Sequence, residues 1–264
     1  MDIADIDRIA AWLVKRGLAG VPEAELLRGF CEECRPTCIN LSTGVAAIDT
    51  LHPVYEGRAF VWRSDGAEEL VEYGSTAEGE AAANWRKSIF FHLLTTGTDE
   101  MRRRIGRGDP IDFETLEDLK AEGQTDYIGF VHRFGRDNVI GDMDSVYSHW
   151  TTRHPDGFCD AGLTALRRLV PILALGIKCA SLARIAGTLV EVYLGRDAGQ
   201  RVLGGRISRG VAEKINTVLW FSDLRGYTTI ADTTSPDAII PLLNDYAEAV
   251  ISSIHEAGGD VLKL

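Results

Sequence analysis

Between Asp160 and Val192 apolar residues return every three or four positions: Leu163, Leu166, Leu169 and Val170, Leu173, Ile177, Leu182, Ile185, Leu189 and Val192. That is the period of an α-helix with one apolar face. A helix this long, opened by Asp160 as its cap and bent near its start by Pro171, constrains everything around it. It must lie against another apolar surface for much of its length. Its densest stretch, Leu169 to Ile177, is bounded by Arg167 and Arg168 on one side and Lys178 on the other. A spanning helix needs about 20 apolar residues, so the sequence predicts a core or interface helix and no membrane crossing. Glycines at 195, 199, 204, 205 and 210 then break the pattern and mark a domain boundary.

Upstream, Ile3, Ile6, Ile9, Ala10 and Leu13 predict a first helix with Gly17 as its stop. Pro22 is placed as the first residue of a second helix, with Glu23 and Glu25 in its first turn and Leu26, Leu27 and Phe30 on its apolar face. From Ile39 to Asp49 the pattern turns to strand, with Val45 and Ala47 on one face. Residues 58–63 and 69–73 read as a hairpin across Ser64-Asp65-Gly66. Residues 77–122 read as mostly helical, with Asp112 as a cap and Gly123 just past a helix end. Two more strands are predicted over 126–134 and 139–150, joined by a turn at 135–138. Helices, hairpin, helices, a second strand pair and a long exit helix describe an α+β domain with an antiparallel sheet. This order resembles a GAF-type sensor domain. The resemblance implies that the last helix passes a signal onward and that the domain answers to a sensor ligand, which the sequence does not name.

Charge narrows the function. Across 264 residues, 28 Lys and Arg face 39 Asp and Glu, a net charge of -11. Such a field repels a phosphate backbone, so general nucleic-acid binding is excluded. The start, Met1-Asp2-Ile3-Ala4-Asp5, is acidic where a secretory signal would be basic, and the expected location is the cytoplasm. Five cysteines without an export signal do not suggest a disulfide framework. Cys31, Cys34 and Cys38 could bind zinc or an iron–sulfur cluster with Cys159, Cys179 or His52 as a fourth ligand, or they could be small buried residues at a helix end. Asp142 and Asp144 could face a cation or simply water. Arg102, Arg103, Arg104 and Arg107 could hold a phosphate, or form a solvated helix face.

The chemistry-bearing segment follows the glycines. Val218 to Phe221 is a continuous apolar run, as expected of a strand buried on both faces, and Asp223 ends it. A carboxylate there needs a partner, such as a divalent cation, and the turn at Gly226 would expose N–H groups to phosphate oxygens. Ser235-Pro236-Asp237 opens a helix carrying Ile239, Ile240, Leu243, Tyr246, Val250, Ile251 and Ile254. Gly258-Gly259 stops it, and Asp260 to Leu264 begins a second strand. Strand, turn, helix, stop and strand form the opening of a ferredoxin-like fold.

Phe221-Ser222-Asp223-Leu224-Arg225-Gly226-Tyr227-Thr228, Leu242-Leu243-Asn244-Asp245-Tyr246 and His255 to Leu264 together resemble the opening of a class III nucleotidyl cyclase domain, over residues 216–264. Asp49-Thr50-Leu51-His52-Pro53 and Tyr193 to Gly199 resemble the N-terminal regions of soluble proteobacterial adenylate cyclases. The resemblance implies that Asp223 is a ligand of two catalytic ions, Mg²⁺ or Mn²⁺, with the Leu224 carbonyl at one of them. Gly226, Tyr227 and Thr228 would lie along the ATP triphosphate. Lys263 would donate to adenine N1, where guanylate cyclases carry an acidic residue. The implied reaction is attack of the ATP 3′-oxygen on the α-phosphorus, giving cyclic AMP and pyrophosphate. The family's second metal carboxylate, and its late asparagine and arginine, are expected beyond Leu264. The expected organisation is therefore a sensor domain over 1–160, a coupling helix and linker over 161–210, and a truncated cyclase domain over 211–264 that does not cyclise ATP as written. Class III sites form between two domains, so a homodimer through residues 162–194 is also expected. The alternative is a sensor and dimerisation module with a non-catalytic, cyclase-like tail.

Overall fold

The computed structural model describes residues 2–135, 140–141, 143–207, 218, 220–259 and 261. Contacts divide the chain into two compact units, Met1–Ala186 and Gly187–Leu264. The first contains helices α1 (Ile3–Leu18) and α2 (Glu23–Cys34), strands β1 (Thr43–Asp49), β2 (Gly57–Arg63) and β3 (Glu68–Tyr73), and helices α3 (Gly79–Arg86) and α4 (Ile89–Thr96). Strand β4 (Glu100–Arg103), helix α5 (Glu114–Ala121), strands β5 (Asp126–Arg133) and β6 (Ser145–Thr152), and most of helix α6 (Asp160–Leu194) complete it. The strands form one antiparallel sheet in the order β3-β2-β1-β6-β5-β4. This is the α+β architecture with an antiparallel sheet that the sequence predicts, with β4 as an additional strand.

Alternation along the strands gives the sheet two faces. On one, Ala46, Ile48, Phe60, Trp62, Ile128, Phe130, Val146 and Trp150 are buried. Helix α2 lies on this face, where the Phe30 and Trp150 rings meet edge to face at 5.2 Å. Gly44 makes room for them: a Cβ there would fall 2.7 Å from the Trp150 ring and 2.9 Å from the Cys31 sulfur. On the other face Tyr127, Val131 and Tyr147 join Ile89, Leu93, Leu116 and Leu119 in a second cluster under α4 and α5.

Helix α6 packs against α1 and α2. Gly17 does not stop α1 as expected. The helix continues to Leu18 and ends at Gly20, which takes a positive φ of 69°. Gly17 instead faces Gly176 of α6, whose Cα would be in ordinary contact with a Cβ added at 17. Pro22 is the cap of α2, one position earlier than expected. Glu23, read as a first-turn charge complementing the helix dipole, is buried. Its Oε1 accepts hydrogen bonds from Ser181 Oγ at 2.8 Å and from Arg184 Nε and Nη2 at 3.1 and 3.0 Å. Burial raises its pKa, but hydrogen bonds and the Arg184 charge outweigh this and hold the carboxyl below its usual range. A charged tie thus joins α2 to α6 in addition to the apolar contact of Leu26 with Gly176.

By length and composition alone α6 could cross a membrane, yet its buried residues run from Gly162 to Ile185 within its own unit. Past Ile185 none is buried, and Leu189 is half-buried and Val192 exposed. Pairing of two copies was expected through residues 162–194, and the side chains of that stretch buried between Gly162 and Ile185 are already covered within their own unit.

Two expectations fail between 77 and 122. Glu100–Arg103 is an edge strand, not helix, and the arginines are not a solvated helix face. Three of the four have their own aspartate: Arg102 reaches buried Asp126 at 2.6 Å, Arg103 reaches Asp112 at 2.7 Å, and Arg104 reaches Asp109 at 3.1 Å, while Arg107 Nη2 lies 3.5 Å from the Asp156 carbonyl. Asp112 is therefore engaged by Arg103, and α5 is capped at Phe113 with no side-chain hydrogen bond.

The second unit holds the end of α6 and helices α7 (Arg196–Leu203), α8 (Tyr227–Thr233) and α9 (Pro236–Glu256). Helix α9 matches its predicted limits, with Ser235 as cap and Gly258 at φ 79° after its end. Pro241 sits in its second turn. The buried strand read from the Val218–Phe221 run is not formed at its described positions. Val218, Trp220 and Phe221 have no strand pairing and are 82, 67 and 90% exposed. A strand is stable only with partners, and no described residue pairs with this one.

Candidate ligand cavity and the Asp223 segment

The first unit has an open cavity of about 480 Å³ on the sheet face away from α2. Small residues create it: Ala47 on β1, Ala81 on α3 and Ser88, the cap of α4, leave space that larger side chains would fill. Trp85, Phe90, Leu94 and Tyr147 supply its apolar walls. Trp85 meets Tyr147 edge to face at 5.5 Å, and Phe90 meets the same ring at 5.4 Å, so Tyr147 is gripped from two helices. Next to Tyr147 on the same face, burial pushes the His149 imidazole down to about 4, which keeps it neutral near pH 7.

Three carboxylates, Asp49, Glu56 and Asp144, line the same space. Asp49 ends β1 and accepts a hydrogen bond from Tyr73 Oη at 2.7 Å. Glu56 accepts from the Thr76 backbone N–H at 2.6 Å and from the Thr76 hydroxyl. Tyr147 donates to Asp144 at 3.3 Å. Burial first, then the Asp49 charge, push both tyrosine phenols up, so they stay protonated and act as donors. Among the described lining residues none is Lys, Arg or His.

Gly57 makes the Tyr73–Asp49 bond possible. It stands opposite Asp49 on one neighbour and Tyr73 on the other. The Tyr73 ring crosses directly over it, and a Cβ at 57 would lie 2.1 Å from the Tyr73 hydroxyl. This cavity was not legible in the sequence as a whole, because its residues come from elements far apart in the chain; of its three carboxylates Asp49 and Asp144 stood out there.

The residues proposed from sequence lie elsewhere. Asp223 is exposed in an irregular stretch. Gly226 takes the expected turn, with φ 75°, and caps α8, in which Tyr227 and Thr228 are the first residues. The Tyr227 N–H bonds the Leu224 carbonyl at 3.0 Å. The structure thus brings Leu224, Gly226, Tyr227 and Thr228 into one turn just after Asp223. Among the described residues no group of three or more His, Cys, Asp or Glu could hold a metal ion. Of the expected two-ion site, the described residues carry the Asp223 carboxylate and the Leu224 carbonyl. Lys263, Asp260 and Asp142 lie outside the described residues.

Nor do the cysteines gather. Cys31 and Cys34 are buried in the core, where burial pushes both thiols well up and holds them protonated. Cys38 lies beside Cys159, Cys179 is exposed on α6, and His52 stacks on Tyr55 at 3.8 Å.

If Gly57 exists for Tyr73, their substitutions are coupled. Gly57→Ala is expected to destabilise by about 1–3 kcal/mol through steric displacement, and Tyr73→Phe by about 1 kcal/mol through the lost hydrogen bond. Chemical denaturation of the double variant should show a loss smaller than the sum; strict additivity would mean the ring does not depend on the glycine.

No family model and no curated protein matches the chain. Solved structures do. It is similar to the phycoerythrobilin-bound GAF domain from a cyanobacterial phytochrome, with 12% identity and a TM-score of 0.42 over 67% of this chain and 96% of that one. The phycocyanobilin-bound GAF domain from a cyanobacterial phytochrome gives 13% and 0.44 over the same shares. The GAF domain of a two-component sensor histidine kinase from Bacillus halodurans gives 12% and 0.40, over 61% of this chain and 96% of that one. With TM-scores below 0.5, nothing about ligand or activity is taken from these likenesses.

Proposed function

We propose that the first unit is a GAF-type sensor that binds a small organic ligand in its sheet-face cavity. The observation that carries this reading is the cavity itself, whose volume of about 480 Å³ falls in the range of small-molecule sites. Its chemistry selects the ligand. Aromatic walls favour a flat apolar body, and three carboxylates favour a cationic or hydrogen-bond-donating end. Tryptamine and indole-3-acetate, which share a ring and differ in charge, serve as probes. Tryptamine is expected to bind at least about tenfold more tightly, a difference of about 1.4 kcal/mol. Trp85→Ala should weaken tryptamine binding, and Glu56→Gln should reduce the preference. Equal or tighter binding of indole-3-acetate in a calorimetric titration would contradict this chemistry.

We further propose that the sensor regulates an adenylate cyclase. The support is the sequence of residues 216–264, above all Phe221 to Thr228, with Lys263 at the position that favours adenine. Asp223 would contribute one carboxylate to a two-ion site of Mg²⁺ or Mn²⁺ completed by residues outside this sequence. In a protein carrying the whole catalytic domain, ATP should yield cyclic AMP. Asp223→Ala should lower turnover by at least about a thousandfold at saturating Mg²⁺. Near-normal turnover in a folded Asp223→Ala protein would rule the assignment out.

A further inference from the structure

Cys38 and Cys159 meet at the start of α6. Their sulfurs are 3.4 Å apart although 121 positions separate them in sequence. Cys38 lies in the connection between α2 and β1. Cys159 immediately precedes α6 and caps it: the Gly162 N–H reaches its sulfur at 3.3 Å, and the Leu163 N–H bonds its carbonyl at 3.0 Å. The connection also packs against the first turn of the helix at Gly162, next to the Cys159 sulfur and the Ile39 backbone. Cys159 is exposed and Cys38 half-buried, so a small oxidant reaches them. Cys31 and Cys34 are shut in the core, and Cys179 lies on the exposed side of α6.

We propose that Cys38 and Cys159 form a redox modification site that closes to an intrachain disulfide when the protein meets a peroxide. One sulfur attacks a peroxide oxygen, the O–O bond breaks, and a sulfenic acid forms with release of water. The second thiol then attacks the sulfenic sulfur, the S–O bond breaks, and the S–S bond forms with release of a second water. Two thiols and one hydrogen peroxide give one disulfide and two waters, so each sulfur loses one electron and the peroxide gains two. Closing from 3.4 Å to a bond of about 2 Å needs only a small side-chain movement. The bridge would tie the α2–β1 connection to the first turn of α6, the helix that leaves this unit. The inference is independent of any ligand in the cavity.

The test uses the full chain with stoichiometric hydrogen peroxide at neutral pH, followed by quenching and denaturation. Titratable thiols should fall from five to three, and a non-reduced peptide map should contain one Cys38–Cys159 link. The oxidised protein should melt several degrees higher, because a long loop is closed in its unfolded state. Cys159→Ser and Cys38→Ser should each abolish the link, and Cys179→Ser should leave it intact. Five thiols surviving, a link through another cysteine, or over-oxidation of Cys159 without a link would each overturn the proposal.

Discussion

Alternation along β6 holds the first unit together. Val146, Ser148 and Trp150 point to one side of the sheet, and Tyr147 and His149 to the other. Trp150 is packed edge-on by Phe30 of α2, while Tyr147 is gripped by Trp85 and Phe90. A slip of one residue would exchange the two sets and lose both the core and the cavity. The register is fixed on both flanks, by β1 through Gly44 opposite Trp150 and by β5 through Ile128 opposite the same residue. Gly44 matters because any side chain there would collide with the Trp150 ring.

From this constraint follows a division of labour between the faces. The face under α2 is closed, and α6 is fastened to α2 by the buried Glu23–Arg184 pair. The opposite face is only partly covered. Helix α3 buries Ala82 alone, lacks a side-chain cap, and brings Trp85 to the cavity with little else to hold it. Strand β3 is an edge strand with exposed side chains up to Tyr73. The cavity thus lies between a well-buried floor and a wall with few buried side chains, which a ligand bound as proposed would order.

What the sequence made legible were the elements with a strong period. The stripe from Leu163 to Ile185 became the buried side of α6, the hairpin at 57–73 formed around its turn, and α9 kept its cap and its glycine stop. Strand β4 was not legible, since Glu-Met-Arg-Arg has one buried side chain and its charges are neutralised by aspartates brought near only by folding. Glu23 misled for a similar reason: its partners lie 158 and 161 positions away. The cavity was invisible because it is made of small residues, and an absent side chain leaves no pattern. The Asp223 segment shows the reverse. Its motif is strong in sequence, yet the described residues contain no partner strand for Val218 and Phe221.

A firm sheet beneath a yielding cavity wall is a statement about local stability, and amide hydrogen exchange of the full chain measures it residue by residue. Amides in β1, β5 and β6 should exchange slowest and together, as one cooperative unit. Those of α3 and β3 should exchange at least about a hundredfold faster. If α3 and β3 are protected as strongly as β6, the wall is part of the rigid core and cannot close over a ligand as described.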